Sequence, residues 1–221
     1  MGDTPKYDDE DPFDWLVFCP SCGAYTELGP DGKPTCNHGY EHEPASSPAG
    51  HREHRIRIET AADHLDLIPT VAGWHWAEWG RVDPKGSVES WVEALMTKTN
   101  RDRVPATWIA MFDDLPVGSV SLVEHDMPDR PELAAMSPWL AGLYVLPTHR
   151  RLGIATQFVT ACESEALRMG IARVYLYSST ARPLYERLRW ERLADDFYEG
   201  ESITIMAKDL NSAKLSGTAT A

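Results

Sequence analysis

The stretch Leu143-Tyr144-Val145-Leu146-Pro147-Thr148-His149-Arg150-Arg151-Leu152-Gly153-Ile154-Ala155 restricts the fold more than any other part of the chain. The apolar run from Trp139 to Leu146, closed by Pro147, reads as a buried strand. From Ala155 to Met169, Phe158, Val159, Cys162, Ala166 and Met169 recur along one stripe, which predicts an amphipathic helix stopped at Gly170. Between them lies a tight basic turn. A helix start leaves its first amides without intrahelical acceptors and carries the positive end of the helix dipole, so the turn suits a diphosphate. Gly153 has no Cβ to hold such a ligand away, Ala155 is nearly as small, and Arg150 and Arg151 add charge-assisted hydrogen bonds. No Gly-Lys-Ser/Thr follows, which excludes a P-loop, and the first glycine of a dinucleotide fingerprint is absent.

The segments around this turn alternate between strand and helix patterns. Arg55-Ile56-Arg57-Ile58 alternates as a strand, and the next stretch, holding Trp74, Trp76 and Trp79, reads as a helix with Pro69 in its first turn and Gly80 near its end. A second helix is predicted from Ser87, a natural N-cap, to Thr97. Thr107–Phe112 and Gly118–Glu124 form a hairpin around Asp113-Asp114-Leu115-Pro116. A loop marked by Pro128, Pro131 and Pro138 precedes the Trp139 strand. Arg173–Tyr177 is a further strand, Pro183–Leu188 a short helix and Ile203–Ala207 a last strand. Local hairpins beside a strand–helix–strand crossover predict an α/β fold with a mixed sheet.

The 221 residues, 43% hydrophobic, suit one ordinary domain and a small appendage. Residues 1–14 read as a disordered acidic leader, 15–43 as a cysteine-bearing segment, 44–54 as a linker, 55–210 as the main domain and 211–221 as a flexible tail. Cys19-Pro20-Ser21-Cys22-Gly23 resembles a zinc knuckle, and Cys36-Asn37-His38-Gly39 follows across a predicted turn at Gly29-Pro30-Asp31-Gly32. Cys19, Cys22, Cys36 and His38 make a tetrahedral donor set, with His42 a rival fourth ligand. A closed four-ligand Zn2+ site is structural and supplies folding energy that so small a segment lacks. The formal charge of -13 is concentrated here: the first fifty residues hold ten Asp and Glu against Lys6 and Lys33. Such a surface repels nucleic acid and anionic lipid and favours a docking or stabilising role. No apolar run reaches the roughly 20 residues of a membrane span, so the expected location is cytoplasmic.

The main domain resembles the GNAT superfamily of N-acetyltransferases. That family's coenzyme A loop, Arg/Gln-x-x-Gly-x-Gly/Ala, is matched by Arg150-Arg151-Leu152-Gly153-Ile154-Ala155, and its following strand and tyrosine-bearing short helix by Val174–Tyr177 and Pro183–Trp190. The resemblance implies a GNAT-type acyl-CoA N-acyltransferase fold over Arg55–Leu210, with a splay between the strands ending at Leu146 and Tyr177. It further implies that backbone groups of Leu143, Tyr144 and Val145 bind the pantetheine of acetyl-CoA. The turn from Arg150 through Arg151, Gly153, Ile154 and Ala155 to Thr156 would hold the pyrophosphate.

Acyl transfer to an amine needs a base, an oxyanion site and a proton for the departing thiolate. The resemblance puts Tyr185 in the last role. The glutamate that some relatives carry early in the strand before the loop falls here at about Trp139, which takes no proton. Of the nearby Glu124-His125-Asp126 cluster, Glu124 is the expected base. Val145 supplies the expected oxyanion amide. The implied acceptor is a primary amine on a small molecule or peptide, and a homodimer is compatible with the reading. A competing class is a non-catalytic acyl-CoA-binding module recruited through its zinc segment.

Overall fold

The computed structural model describes residues 16–18, 25–27, 56–80 and 86–211, and the chain divides into two compact units, 1–52 and 53–221. In the first unit β1 (Leu16–Phe18) pairs antiparallel with β2 (Tyr25–Glu27), Val17 opposite Thr26. Cys19, Cys22, Cys36, His38 and His42 lie outside the described residues, as do the leader, the linker and the predicted turn at 29–32.

The second unit is built on a seven-stranded sheet. Its order is β3 (Ile56–Thr60), β4 (Ala106–Phe112), β5 (Leu115–Val123), β6 (Trp139–Val145), β7 (Arg173–Ser178), β9 (Glu201–Asp209) and β8 (Glu191–Tyr198). All neighbours are antiparallel except β6 and β7, so the sheet is mixed as predicted. That one parallel pair needs a crossover, and α3 (Ile154–Arg168) provides it. Of the stripe predicted for this helix, Phe158, Val159, Cys162 and Ala166 are enclosed against β5 and β6 together with Ile154, whereas Met169 caps the helix and is only half-buried.

Before the sheet is complete the chain forms α1 (Ile68–Trp79) and α2 (Val88–Met96), packed on each other, with α1 also against β6. Ser87 caps α2 in a reciprocal pair with Ser90 (3.3 and 2.9 Å). The three α1 tryptophans separate. Trp74 is fully buried and stacks on Tyr144 of β6 at 5.8 Å, Trp76 meets Trp91 edge-on, and Trp79 meets both His75 and Tyr144.

Two elements depart from the sequence pattern. β5 starts at Leu115 rather than Gly118, because Asp113 and Asp114 (φ 49° and 77°) already make a two-residue hairpin turn. Pro116 is tolerated beside a register shift between Ala110 and Met111, where a ladder bond is not demanded. The edge strand β8, Glu-Arg-Leu-Ala-Asp-Asp-Phe-Tyr, was not predicted, since it is almost wholly exposed and has no apolar alternation. It is specified by its antiparallel pairing to β9 across the Glu199-Gly200 turn, both residues at positive φ.

Candidate active site

The sheet is open where β6 and β7 diverge. Their only register pair is Trp139 with Tyr175, supported by the Tyr175 amide donating to the Pro138 carbonyl at 3.0 Å. From Leu140 onward β6 has a partner on the β5 side alone. The Leu146 amide donates to the Val117 carbonyl at 2.9 Å, so Tyr144, two residues back, shares the β5 edge. Leu143 and Val145 therefore turn their backbone groups toward the gap. The strand is bent at that point by a bulge: Ser119 and Ser121 of β5 face Tyr144 and Ala141, which leaves Gly142 and Leu143 between them.

Gly142 sits at φ +57°, and a Cβ there would stand 3.1 Å from Cε1 of His75. His75 is the buried support of the bulge, its Nε2 hydrogen-bonded to Ser119 Oγ at 2.8 Å and its ring against Trp79 and Trp91. Burial, with a smaller contribution from Lys98, depresses its pKa to about 3, so the ring is neutral. No motif pointed to His75; its role exists only because α1 lies on the bulge.

At the far end of β6 the chain makes the basic turn. Pro147–His149 is a 3-10 turn, Arg150 is extended, Arg151 and Gly153 are left-handed (φ 68° and 81°), and α3 begins at Ile154. The first bond of the α3 ladder runs from the Gln157 amide to the Gly153 carbonyl (3.0 Å), and Gly153 offers no side-chain cap. The amides of Ile154, Ala155 and Thr156 thus have no acceptor inside the helix. Where a Cβ on Gly153 would point, no atom of the described residues beyond its chain neighbours lies within 4 Å. Arg150 and Arg151 are exposed, and Arg150 Nε is braced on the Val145 carbonyl at 3.0 Å. One end of the gap is therefore lined by free amides and guanidinium groups.

Tyr185 comes from α4 (Arg182–Arg187), after β7. It is 5% exposed, and burial first, then Cys162 and Asp126, hold its phenol well above the usual tyrosine range. Among the described residues its hydroxyl has no hydrogen bond, and every fully enclosed side-chain nitrogen or oxygen has a partner. That oxygen therefore reaches accessible space, protonated and unshared.

Of the acidic cluster after β5, Glu124 is exposed, whereas Asp126 is partly enclosed and its pKa rises to about 7. Burial is the main cause; Lys98 opposes it and Glu199 adds to it. The field of Asp126 also raises Tyr177, at the gap side of β7, after burial of that phenol. Tyr198 donates to Asp129 at 2.8 Å and packs edge-on to Tyr177. Arg130 ties this loop to β8 through Asp196 (2.7 Å). An acidic, aromatic surround of the gap is thus assembled from β7, the β8–β9 turn and the loop after β5. Trp139, which takes no proton, is buried and spends its indole N–H on the Met136 carbonyl (2.5 Å).

Among the described residues no cluster of His, Cys, Asp and Glu is arranged to hold a metal, and no helix is long and apolar enough to cross a membrane.

A family model described as the acetyltransferase (GNAT) family matches residues 68–189. No curated protein matches the chain. Among solved structures, an aminoglycoside 6′-N-acetyltransferase complexed with coenzyme A aligns with TM-score 0.55 and 16% identity, over 71% of this chain and 97% of its own. Mutant forms of a spermidine/spermine N-acetyltransferase from Vibrio cholerae align with TM-score 0.53 and 14% identity, over 74% and 99%. A GNAT-family acetyltransferase from Streptococcus pneumoniae gives 0.53 and 15%, over 70% and 99%. At these identities the likeness is one of fold.

Proposed function

This chain belongs to the GNAT acetyltransferase family, and from that premise we propose that it transfers an acetyl group from acetyl-CoA to a primary amine by direct attack. The observation that carries the reading is the gap between β6 and β7, which ends against the three free amides of α3 and the arginines of the basic turn. Those amides, with Arg150 and Arg151, hold the pyrophosphate; Gly153 keeps the approach open. Leu143 and the Val145 N–H hydrogen-bond the pantetheine amides along the gap, the Val145 carbonyl being already held by Arg150. The thioester then lies among Tyr185, Tyr177 and Asp126.

An amine must lose its proton before it attacks. Asp126, with its pKa at about 7, is matched to accept that proton directly or through water, and it is a better base than exposed Glu124 because it shares an electrostatic neighbourhood with Tyr185. The amine then attacks the acetyl carbonyl, and Tyr185 protonates the coenzyme A sulfur as the tetrahedral intermediate collapses. Asp126, Asp129 and Glu199 beside Tyr177 and Tyr198 favour a cationic acceptor, a small molecule or a peptide amine. The two solved relatives that act on aminoglycosides and on spermidine or spermine agree with that class.

Purified protein given acetyl-CoA and a panel of polyamines, aminoglycosides and peptide amines should release coenzyme A thiol and yield acetylated amine. Binding of acetyl-CoA without turnover on any amine would instead support a non-catalytic acyl-CoA module. The acid limb of kcat/KM should fall near pH 7, because the base works only when ionised. Asp126→Asn should remove that limb and lower kcat/KM by about a hundredfold or more. An unchanged limb would transfer the role to another group.

We further infer that Cys19, Cys22 and Cys36, with His38 or His42, bind structural Zn2+; the support is the donor chemistry and the Cys-Pro-Ser-Cys-Gly spacing. The full chain should carry about one zinc, lost when Cys19 and Cys22 are both changed to Ser. Zinc retained in that double variant would disprove the site.

A further inference from the structure

The residue that would donate the last proton stands on a weak element. α4 has six residues, and its N-cap, Ala181, makes no side-chain cap hydrogen bond. So short a helix has little stability of its own, and its orientation must come from what it touches. Its C-terminal end is tied down twice. The Trp190 amide donates to the Tyr185 carbonyl at 3.0 Å while the indole packs edge-on to the Tyr185 ring at 6.0 Å. Lys208 of β9 reaches across to donate to the Leu188 carbonyl at 2.8 Å.

Both ties converge on one carboxylate. Glu163, in the helix whose start forms the anion turn, accepts the Trp190 indole N–H on Oε1 at 2.9 Å and the Lys208 ammonium on Oε2 at 2.6 Å. The side chains of Glu163 and Lys208 are only 17% and 21% exposed, so solvent screens the pair less than a surface bridge. A single carboxylate thereby fixes the indole on which the Tyr185 ring rests and the lysine that holds the end of its helix.

We propose that Glu163 is a positioning residue for the acetyl transfer: through Trp190 and Lys208 it holds the Tyr185 hydroxyl where the departing thiolate needs it, and it couples that placement to α3. The proposal rests on the reading of Tyr185 as the proton donor. Glu163 touches neither substrate nor reacting atoms, so its effect should appear in kcat and pass entirely through Tyr185. Loosening the clasp should also admit water to the buried phenol, lowering its raised pKa toward the ordinary value and moving the alkaline limb of kcat to lower pH.

A double-mutant cycle on the full chain tests this, with kcat, the alkaline limb, coenzyme A affinity and thermal melting measured for each variant. Glu163→Ala should lower kcat about tenfold while changing coenzyme A affinity by less than about twofold. In a Tyr185→Phe background the same change should cost less than about twofold, since there is no hydroxyl left to misplace. Glu163→Gln, which keeps an acceptor for the indole, should recover part of the loss. Trp190→Phe and Lys208→Met each remove one arm and serve if Glu163→Ala does not fold. An equal loss in both backgrounds, or an unmoved kcat and alkaline limb, overturns the clasp while leaving the proton donor in place. Full activity in Tyr185→Phe alone overturns the donor and the clasp together.

Discussion

Gly153→Glu is expected to weaken acetyl-CoA binding by about a hundredfold or more, some 3 kcal/mol, without unfolding the domain. Two effects combine. Gly153 is left-handed at φ +81°, where any side chain costs about 1–2 kcal/mol, so a modest drop in melting temperature should accompany the change. The larger effect falls on the ligand. A Cβ at this position meets no atom of the described residues beyond its chain neighbours within 4 Å, so the new carboxylate enters the open space before α3 and sets a negative charge where the diphosphate would lie. Gly153→Ala separates the two contributions: it carries the same backbone strain with no charge, and should retain most of the affinity. Calorimetric titration with coenzyme A and thermal melting of both variants measure each part. Undiminished affinity in Gly153→Glu would remove the basic turn from the cofactor site.

Tyr185→Phe should lower kcat by about 10²–10³-fold and leave coenzyme A affinity nearly unchanged. The substitution deletes one oxygen from a ring that otherwise keeps its contact with Trp190, and that oxygen has no partner among the described residues to lose. A structural penalty is therefore small, and the loss belongs to chemistry. Because burial raises the phenol above the ordinary tyrosine range, it stays protonated throughout neutral pH. Activity should fall only at strongly alkaline pH, as the donor ionises, and the variant should lack that limb. Turnover equal to the parent would show that water or another group protonates the thiolate.

Much of this site was legible along the chain because it is local. Strand, Pro147, basic turn, Gly153 and the apolar stripe of α3 follow one another without interruption, and each part signals its own geometry. The Ser87 cap and the start of α1 near Pro69 were readable for the same reason. The strand that was missed has the opposite property. β8 has no apolar period, since its eight residues lie at a sheet edge and are held by pairing with β9. The choice between Glu124 and Asp126 depends on which carboxylate is enclosed, and burial is not written into two neighbouring acidic residues.

By itself the sequence determined that a tight basic turn joins a buried strand to an amphipathic helix, and that a tyrosine-bearing short helix follows at family spacing. Periodicity, turn chemistry and small residues act within a few positions of one another, so they survive in one dimension. Only the tertiary structure decided that the expected splay of β6 and β7 begins after the single pair Trp139–Tyr175, that His75 supports the bulge at Gly142, and that Glu163 meets Trp190 and Lys208. Those contacts join residues 27 to 67 positions apart, and distances of that kind are created by chain packing, which brings charge, burial and shape together at the gap.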